Sequence, residues 1–414
     1  MLLAKALDRL IHQGSLEVID PAGRRHMAGG RAPGPHAIAR VHDRRTAWRL
    51  LLNPRLAVGE CYMDGTLTVE DSSLYDLLDV LCLNMGIIET TPLVRASYRL
   101  QRITRNLEQH NPVGRARQNV SHHYDLSSTL YDLFLDRDRQ YSCAYFIDPS
   151  ISLEQAQEAK KRHLLAKLHA GPQHRILDIG SGWGGLALYI ARESGADVTG
   201  ITLSTEQHQM SQRRAQDAGM EQQVRFRLQD YRQESGRYDR IVSVGMFEHV
   251  GAAHYVEFFT KVKDLLKDDG VMLLHAIGRM EPPGGTNPWL RKYIFPGGYS
   301  PALSEVVAAV EKVGLWITDI EILRLHYAAT LGHWRRRFLA NIDKVKSIPG
   351  YDDRFCRMWE FYLTACELSF RHLRQMVFQM QLALVPDAVP LTRDYISDFE
   401  RATGHTRARP AAAE

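Results

Sequence analysis

Residues 175–185 read RILDIGSGWGG, an apolar run carrying one acid, Asp178, and ending in four glycines within six positions. Leu177 and the β-branched Ile176 and Ile179 favour a buried strand, and the LALYIAR that follows at 186–192 favours a helix. Glycine costs chain entropy, so Gly180, Gly182, Gly184 and Gly185 belong where the backbone turns sharply and lies close to something else. The segment predicts a strand feeding a helix N-terminus, whose free N–H groups and dipole attract a polar ligand. A parallel α/β sheet with a nucleotide-like ligand at one edge is the fold that uses such a turn.

Two cofactors compete for it. Gly180, Gly182 and Gly185 satisfy the G-x-G-x-x-G spacing of dinucleotide sites, which also calls for an acid closing the second strand to hold the ribose hydroxyls. That strand, DVTGIT at 197–202, has its only acid at the start, and Thr202, Leu203 and Ser204 stand where the acid belongs. A nicotinamide is disfavoured on that ground. The D-x-G-x-G-x-G order, with Asp178 ahead of the glycines, resembles the first motif of S-adenosylmethionine methyltransferases and implies that Asp178 faces the amino-acid end of that cofactor.

At 414 residues the chain has room for an α/β core and a second unit. A net charge of only +4 does not indicate a nucleic-acid binder. Charge is concentrated, however: six arginines (95, 99, 102, 105, 115, 117) face one acid, Glu108, and Arg335, Arg336 and Arg337 form a second cluster. Such runs are solvated faces or contacts to anionic headgroups. Cys61, Cys82, Cys143, Cys356 and Cys366 show no C-x-x-C or other paired spacing, which reads as reduced thiols in a cytoplasmic protein with no metal site. The N-terminus breaks its apolar residues with Lys5, Asp8, Arg9 and His12, an amphipathic helix, and no run of eighteen apolar residues occurs. A lipid, if involved, is met from the water side, at the inner face of the membrane.

The expected organisation is an N-terminal domain at 1–94, a basic connector at 95–120, a catalytic domain at 121–396 and a disordered tail at 397–414. In the first domain a helix precedes a strand at 16–19, the Gly/Pro-rich AGGRAPGP at 28–35, a helix at 46–53, then a turn and strand within 59–71 and a helix at 72–83. From 175 onward strands fall near 175–179, 197–202, 224–229, 239–244, 270–276 and 315–324. Helices fall near 185–194, 205–218, 252–267, 301–313 and 328–345, followed by one long helix from 353 to about 381.

YSCAYF (141–146), LDIGSGWGGLA (177–187), GITLSTEQ (200–207), MFEHVG (246–251), LLHAIG (273–278), FPGG (295–298) and HYAATLGHW (326–334), in this order, resemble the cyclopropane-fatty-acyl-phospholipid synthases and the related mycolic acid cyclopropane synthases. NPRLAVGECYMDG at 53–65 resembles the N-terminal domain of the phospholipid branch. The resemblance implies a doubly wound, mostly parallel seven-stranded sheet, the class I S-adenosylmethionine methyltransferase fold, beside a smaller α+β domain. It implies transfer of the cofactor's methyl group to a cis double bond of a phospholipid acyl chain. Loss of a proton from that methyl group then closes a cyclopropane ring. Methylation without ring closure, and lipid or cofactor binding without turnover, stay open beside it, and the first domain is left to grip either lipid or a second subunit in a homodimer.

The family's bicarbonate ligands carry over to Cys143, Glu248, His275, Tyr327 and the backbone N–H of Ile277, with Glu248 set to orient His275 or hold a bicarbonate proton. Cofactor contacts carry over to Tyr141, Ser142, Asp178, Gly180, Gly182, Thr202, Leu203, Gln207 and Tyr231. Tyr124, Phe146, Phe247, Tyr299 and Trp334 are available as cation-stabilising rings or as core. Cys366 also matches a family site residue, although its place among Leu363, Leu368 and Phe370 reads as a buried helix face.

Overall fold

A computed structural model describes residues 2–88 and 128–404, so the basic connector and Tyr124 lie outside the described residues. The N-terminal unit is a four-stranded sheet of β1 (Gln13–Ile19), β2 (Arg25–Gly29), β3 (Ala32–Val41) and β4 (Leu67–Glu70), in the order β2-β1-β3-β4. The Gly/Pro-rich stretch turns at Gly30 and then enters β3, rather than forming a loop throughout. Residues 59–63, expected as a turn, belong to the helix Pro54–Met63. Gly59 permits this because its helix face meets Trp289, whose Nε1 lies 2.4 Å from where a Cβ would sit. The helix Leu74–Leu83 starts as expected, on a Ser73–Asp76 capping box.

The larger sheet holds β5 (Arg175–Ile179), β6 (Asp197–Thr202), β7 (Val224–Leu228), β8 (Tyr238–Val244), β9 (Leu266–Arg279), β10 (Trp316–Ile322) and β11 (Gln375–Ala383), in the order β10-β11-β9-β8-β5-β6-β7. β5 to β9 run parallel and β11 is antiparallel to both neighbours. The chain winds outward from β5 in both directions, so the crevice at the switch point opens beyond the ends of β5 and β8. Helices Tyr255–Leu265 and Leu303–Val313 bury one sheet face, and Leu153–Leu168 with Gly185–Ser194 bury the other.

Three expectations need correction. The long helix ends at His372, and 375–383 is β11. No Gly or Pro marks that boundary; the slot between β9 and β10 decides it, and eight of the nine β11 residues are buried there. The segment 328–345 is two helices, His326–Ala340 and Ile342–Lys346. The tail expected from 397 is helical through Gly404, because Glu400 of the helix Asp394–Gly404 binds His163 Nδ1 at 2.8 Å.

A large aromatic cluster sits beside the sheet, where helices His326–Ala340 and Asp353–His372 pack on Leu130, Phe134, Ala144 and Trp289. It also joins the two units: Tyr62 donates to Glu360 at 2.8 Å, and Glu60 accepts from Arg49, Lys292 and Tyr293 at 2.6, 2.6 and 2.9 Å.

Candidate active site

β5 delivers Asp178 to the crevice and ends in the glycine turn. Gly180, Gly182 and Gly184 have φ of 84°, 53° and 82°, left-handed values that side chains resist. A Cβ on Gly184 would sit 2.6 Å from Phe226 and 2.8 Å from Ser211, and one on Gly180 would sit 2.8 Å from Met246. Nothing lies within 4 Å of a Cβ on Gly182, which faces the cleft itself. The turn is pinned to the second strand, since the N–H groups of Gly180 and Ser181 both donate to Ile201 O, at 2.9 and 3.0 Å.

Every residue expected to hold the cofactor lines one cleft: Tyr141, Ser142, Asp178, Gly180, Gly182, Thr202, Leu203, Gln207 and Tyr231. Thr202 Oγ1 donates to Gln207 Oε1 at 3.0 Å and accepts from Ser204 N at 3.2 Å, while Ser204 caps the helix Thr205–Asp217. The polar residues expected to stand in for the ribose acid are thus preset by their own hydrogen bonds. Asp178 is buried, its Oδ2 has no hydrogen-bond partner among the described residues, and burial pushes its carboxyl up to about 7. An ammonium beside that unpartnered oxygen would hold the carboxyl in its ionised form, so the position suits a cationic donor.

Beyond the ends of β8 and β9 lies a second group of buried polar side chains. Glu248 sits in the short turn Phe247–His249, and its Oε1 accepts the N–H of Ile277 at 2.6 Å. The amide expected to meet an anion is therefore spent on Glu248. Oε2 of Glu248 is buried without a partner among the described residues, and burial lifts this carboxyl to about 7. Its backbone is fixed from the far side, where Tyr299 N donates to Glu248 O at 3.0 Å. The expectation that Glu248 orients His275 needs correction. Gln379 does so, directly opposite His275 in the β9–β11 register, with its Nε2 3.3 Å from Nδ1. With Nδ1 accepting, the ring proton sits on Nε2. Burial holds the imidazole well below its ordinary range, so it is neutral.

Cys143 and Tyr327 belong to the aromatic cluster. Ala144 N donates to Thr330 Oγ1 at 3.0 Å and Phe146 N donates to His326 Nδ1 at 2.9 Å, which docks the Cys143 segment on the start of Tyr327's own helix. Burial drives the Cys143 thiol far above its usual range and the Cys366 thiol up to about 12, so both are protonated thiols and neither is a nucleophile. Cys366 lies beside Tyr362, whose hydroxyl is 2.8 Å from that of Tyr141.

The rings divide. Trp334 stacks on Tyr141 at 5.1 Å and meets Tyr327 edge-on at 5.8 Å, at the site. Phe146 stacks on His326 and His333. Phe247 packs with Tyr255, Phe258 and Phe259 in the sheet core, and Tyr299 is committed to Glu305 and Arg279, so these two serve packing. Of the second arginine cluster, Arg335 and Arg337 are tied to Glu367 and Glu154 at 2.9 and 2.8 Å rather than offered to an anionic surface. Sequence reasoning misses Asp138, Gln140, Met246 and His249 in the cleft, Lys160 behind it and Gln379 beside His275. For Gln379 a signal existed: a glutamine inside the apolar run MVFQMQLAL.

The family described as mycolic acid cyclopropane synthetase matches residues 112–380. Cyclopropane-fatty-acyl-phospholipid synthase of Escherichia coli (strain K12) is 42% identical over 260 residues, 62% of this chain and 66% of that protein. A probable fatty acid methyltransferase of Pseudomonas putida is 40% identical over 258 residues, 61% and 65% of the two chains. The matches thus span just under two thirds of these relatives' length. The solved cyclopropane synthase MmaA2 of Mycobacterium tuberculosis superposes with a TM-score of 0.62 at 32% identity, covering 66% of this chain and 99% of its own. The related CmaA1 was solved with S-adenosylhomocysteine. Coclaurine N-methyltransferase, 19% identical with a TM-score of 0.64, shares the fold.

Proposed function

Because the chain belongs to the mycolic acid cyclopropane synthetase family, we propose that it transfers the methyl carbon of S-adenosylmethionine to a cis double bond of an unsaturated phospholipid acyl chain and closes a cyclopropane ring. The observation that carries this reading is the cleft at the glycine turn together with two buried polar groups, Glu248, whose Oε2 has no partner among the described residues, and His275.

The cleft residues suit the cofactor chemically: Gly182 leaves its wall open, and the unpartnered Asp178 oxygen suits an ammonium. In the transfer the carbon–sulfur bond breaks with its electrons on sulfur, the alkene electrons form the new carbon–carbon bond, and positive charge appears on the neighbouring carbon. The rings of Trp334 and Tyr327, in edge contact with each other, would tolerate such charge at about 1–2 kcal/mol per desolvated ring face. Bicarbonate, when bound, supplies the base for the last proton. Glu248, lifted to about 7, is populated as the acid and offers an Oε2–H donor, and His275 Nε2–H offers another, so these two residues fit that anion. Cys143 and Tyr327, which the family resemblance assigns to the same anion, lie in the adjoining aromatic cluster, where the thiol donates to Ala144 O at 3.3 Å. Neither thiol is charged, which spares them alkylation by the cofactor.

Turnover of unsaturated phospholipid vesicles with the full chain tests this. The expected product gains one CH2 and survives mild hydrogenation. A product that takes up hydrogen identifies methylation without ring closure, the reading favoured by the Pseudomonas putida relative. Cofactor binding with no release of S-adenosylhomocysteine would leave a binding protein and overturn both.

A further inference from the structure

Lys160 lies in the middle of the helix Leu153–Leu168 and is fully buried, in a run, QEAKKRH, where a lysine ordinarily faces water. Burying an ammonium costs several kcal/mol unless its protons are taken up. Two are: Nζ donates to Gln140 Oε1 at 2.7 Å and to Ser142 Oγ at 2.8 Å. One turn earlier, Gln157 Nε2 donates to the carbonyls of the same two residues, at 3.1 and 3.0 Å. The helix thus grips the segment twice, Gln157 by its backbone and Lys160 by its side chains.

An ammonium has donors and no acceptor, so each of its partners is forced to accept. Gln140 shows the consequence: with Oε1 accepting from Lys160, its Nε2 donates onward to Asp138 Oδ2 at 3.0 Å. Ser142 is placed likewise. Its oxygen accepts from Lys160, its one proton cannot return there, and Ser142 lines the cleft. We propose that Lys160 is a positioning residue for the cofactor's amino-acid end, fixing Ser142 so that the hydroxyl donates into the cleft towards a carboxylate. This rests on the reading that the cleft takes S-adenosylmethionine. The same wall carries Asp178, whose unpartnered oxygen suits an ammonium, so a donor backed by a cation and an acid together match the two charges of an amino acid. Lys160 also acts on Cys143, Asp178 and His275 through its charge.

Calorimetric binding of two probes to the full chain tests the assignment: S-adenosylhomocysteine, and methylthioadenosine, which lacks the amino-acid end. Lys160→Met should weaken S-adenosylhomocysteine by about 10- to 100-fold, the worth of a charge-assisted hydrogen bond, and leave methylthioadenosine unchanged. Ser142→Ala, which leaves the buried charge and its Gln140 contact in place, should give the same pattern and decides the matter if Lys160→Met does not fold. A folded variant of either kind that keeps the wild-type ratio of the two affinities overturns the proposal. A wild-type chain that binds neither probe overturns the cofactor reading instead.

Discussion

Glu248 and Asp178 are the two carboxyls that burial lifts to about 7, from ordinary values of 4.5 and 3.8. A raised carboxyl means that the folded chain holds the proton more tightly than the unfolded chain. The stabilisation is full below the unfolded values and is lost as pH rises through 7, to an extent of about 3 kcal/mol for Glu248 and about 4 kcal/mol for Asp178. Glu248→Gln keeps an oxygen for Ile277 N–H and removes the ionisation. Its urea midpoint should therefore fall less than that of the wild type between about pH 4.5 and pH 8. Parallel pH dependence in the two proteins would show that Glu248 is not the buried acid. The same substitution should stop turnover while cofactor affinity stays within about twofold, since Glu248 serves the proton step and not the cleft. Glu248, His275 and Cys143 could be named from their sequence segments, but their pairings could not. His275 meets Gln379 because two strands more than a hundred residues apart in sequence align in register.

At the scale of the element, the glycine turn is two positions of different kind. Gly184 is caged by Phe226 and Ser211, whereas Gly182 is open to the cleft. Gly184→Ala combines left-handed strain with a core clash and should cost about 2–4 kcal/mol, seen as a lowered melting temperature. Gly182→Ala pays the strain alone, about 1 kcal/mol, and should fold while binding S-adenosylhomocysteine at least about tenfold more weakly, because its methyl group enters the ligand space. Equal stability loss in both would contradict the packing. Strand-to-helix turns of this sort are legible because glycine, alternation and the β-branched run act locally. β11 is not, because 373–383 contains neither a breaker nor a period that separates helix from strand, and the open slot beside β9 decides the matter.

At the scale of the molecule, the two units meet across the helix Pro54–Met63, where Gly59 lies flat on Trp289 and Glu60 gathers Arg49, Lys292 and Tyr293. Gly59→Val cannot fit against the indole. It should part the units and split one calorimetric unfolding transition into two, with the later one belonging to the seven-stranded sheet. A single transition at the wild-type temperature would show that this contact does not couple them. No described helix is long and apolar enough to cross a membrane.

The sequence by itself determined the alternating α/β domain and the glycine cleft, since strand propensity, glycine conformation and helix capping are properties of short segments, while the residues lining that cleft were named by the family resemblance. Only the tertiary structure decided that 375–383 is the seventh strand, that Gln379 and not Glu248 orients His275, that Ile277 N–H is spent on Glu248, and that Lys160 stands buried behind Ser142. Each of these depends on which distant groups exclude water from one another. Desolvation and register arise only when the chain has closed on itself, and the glycine turn marks where that happens.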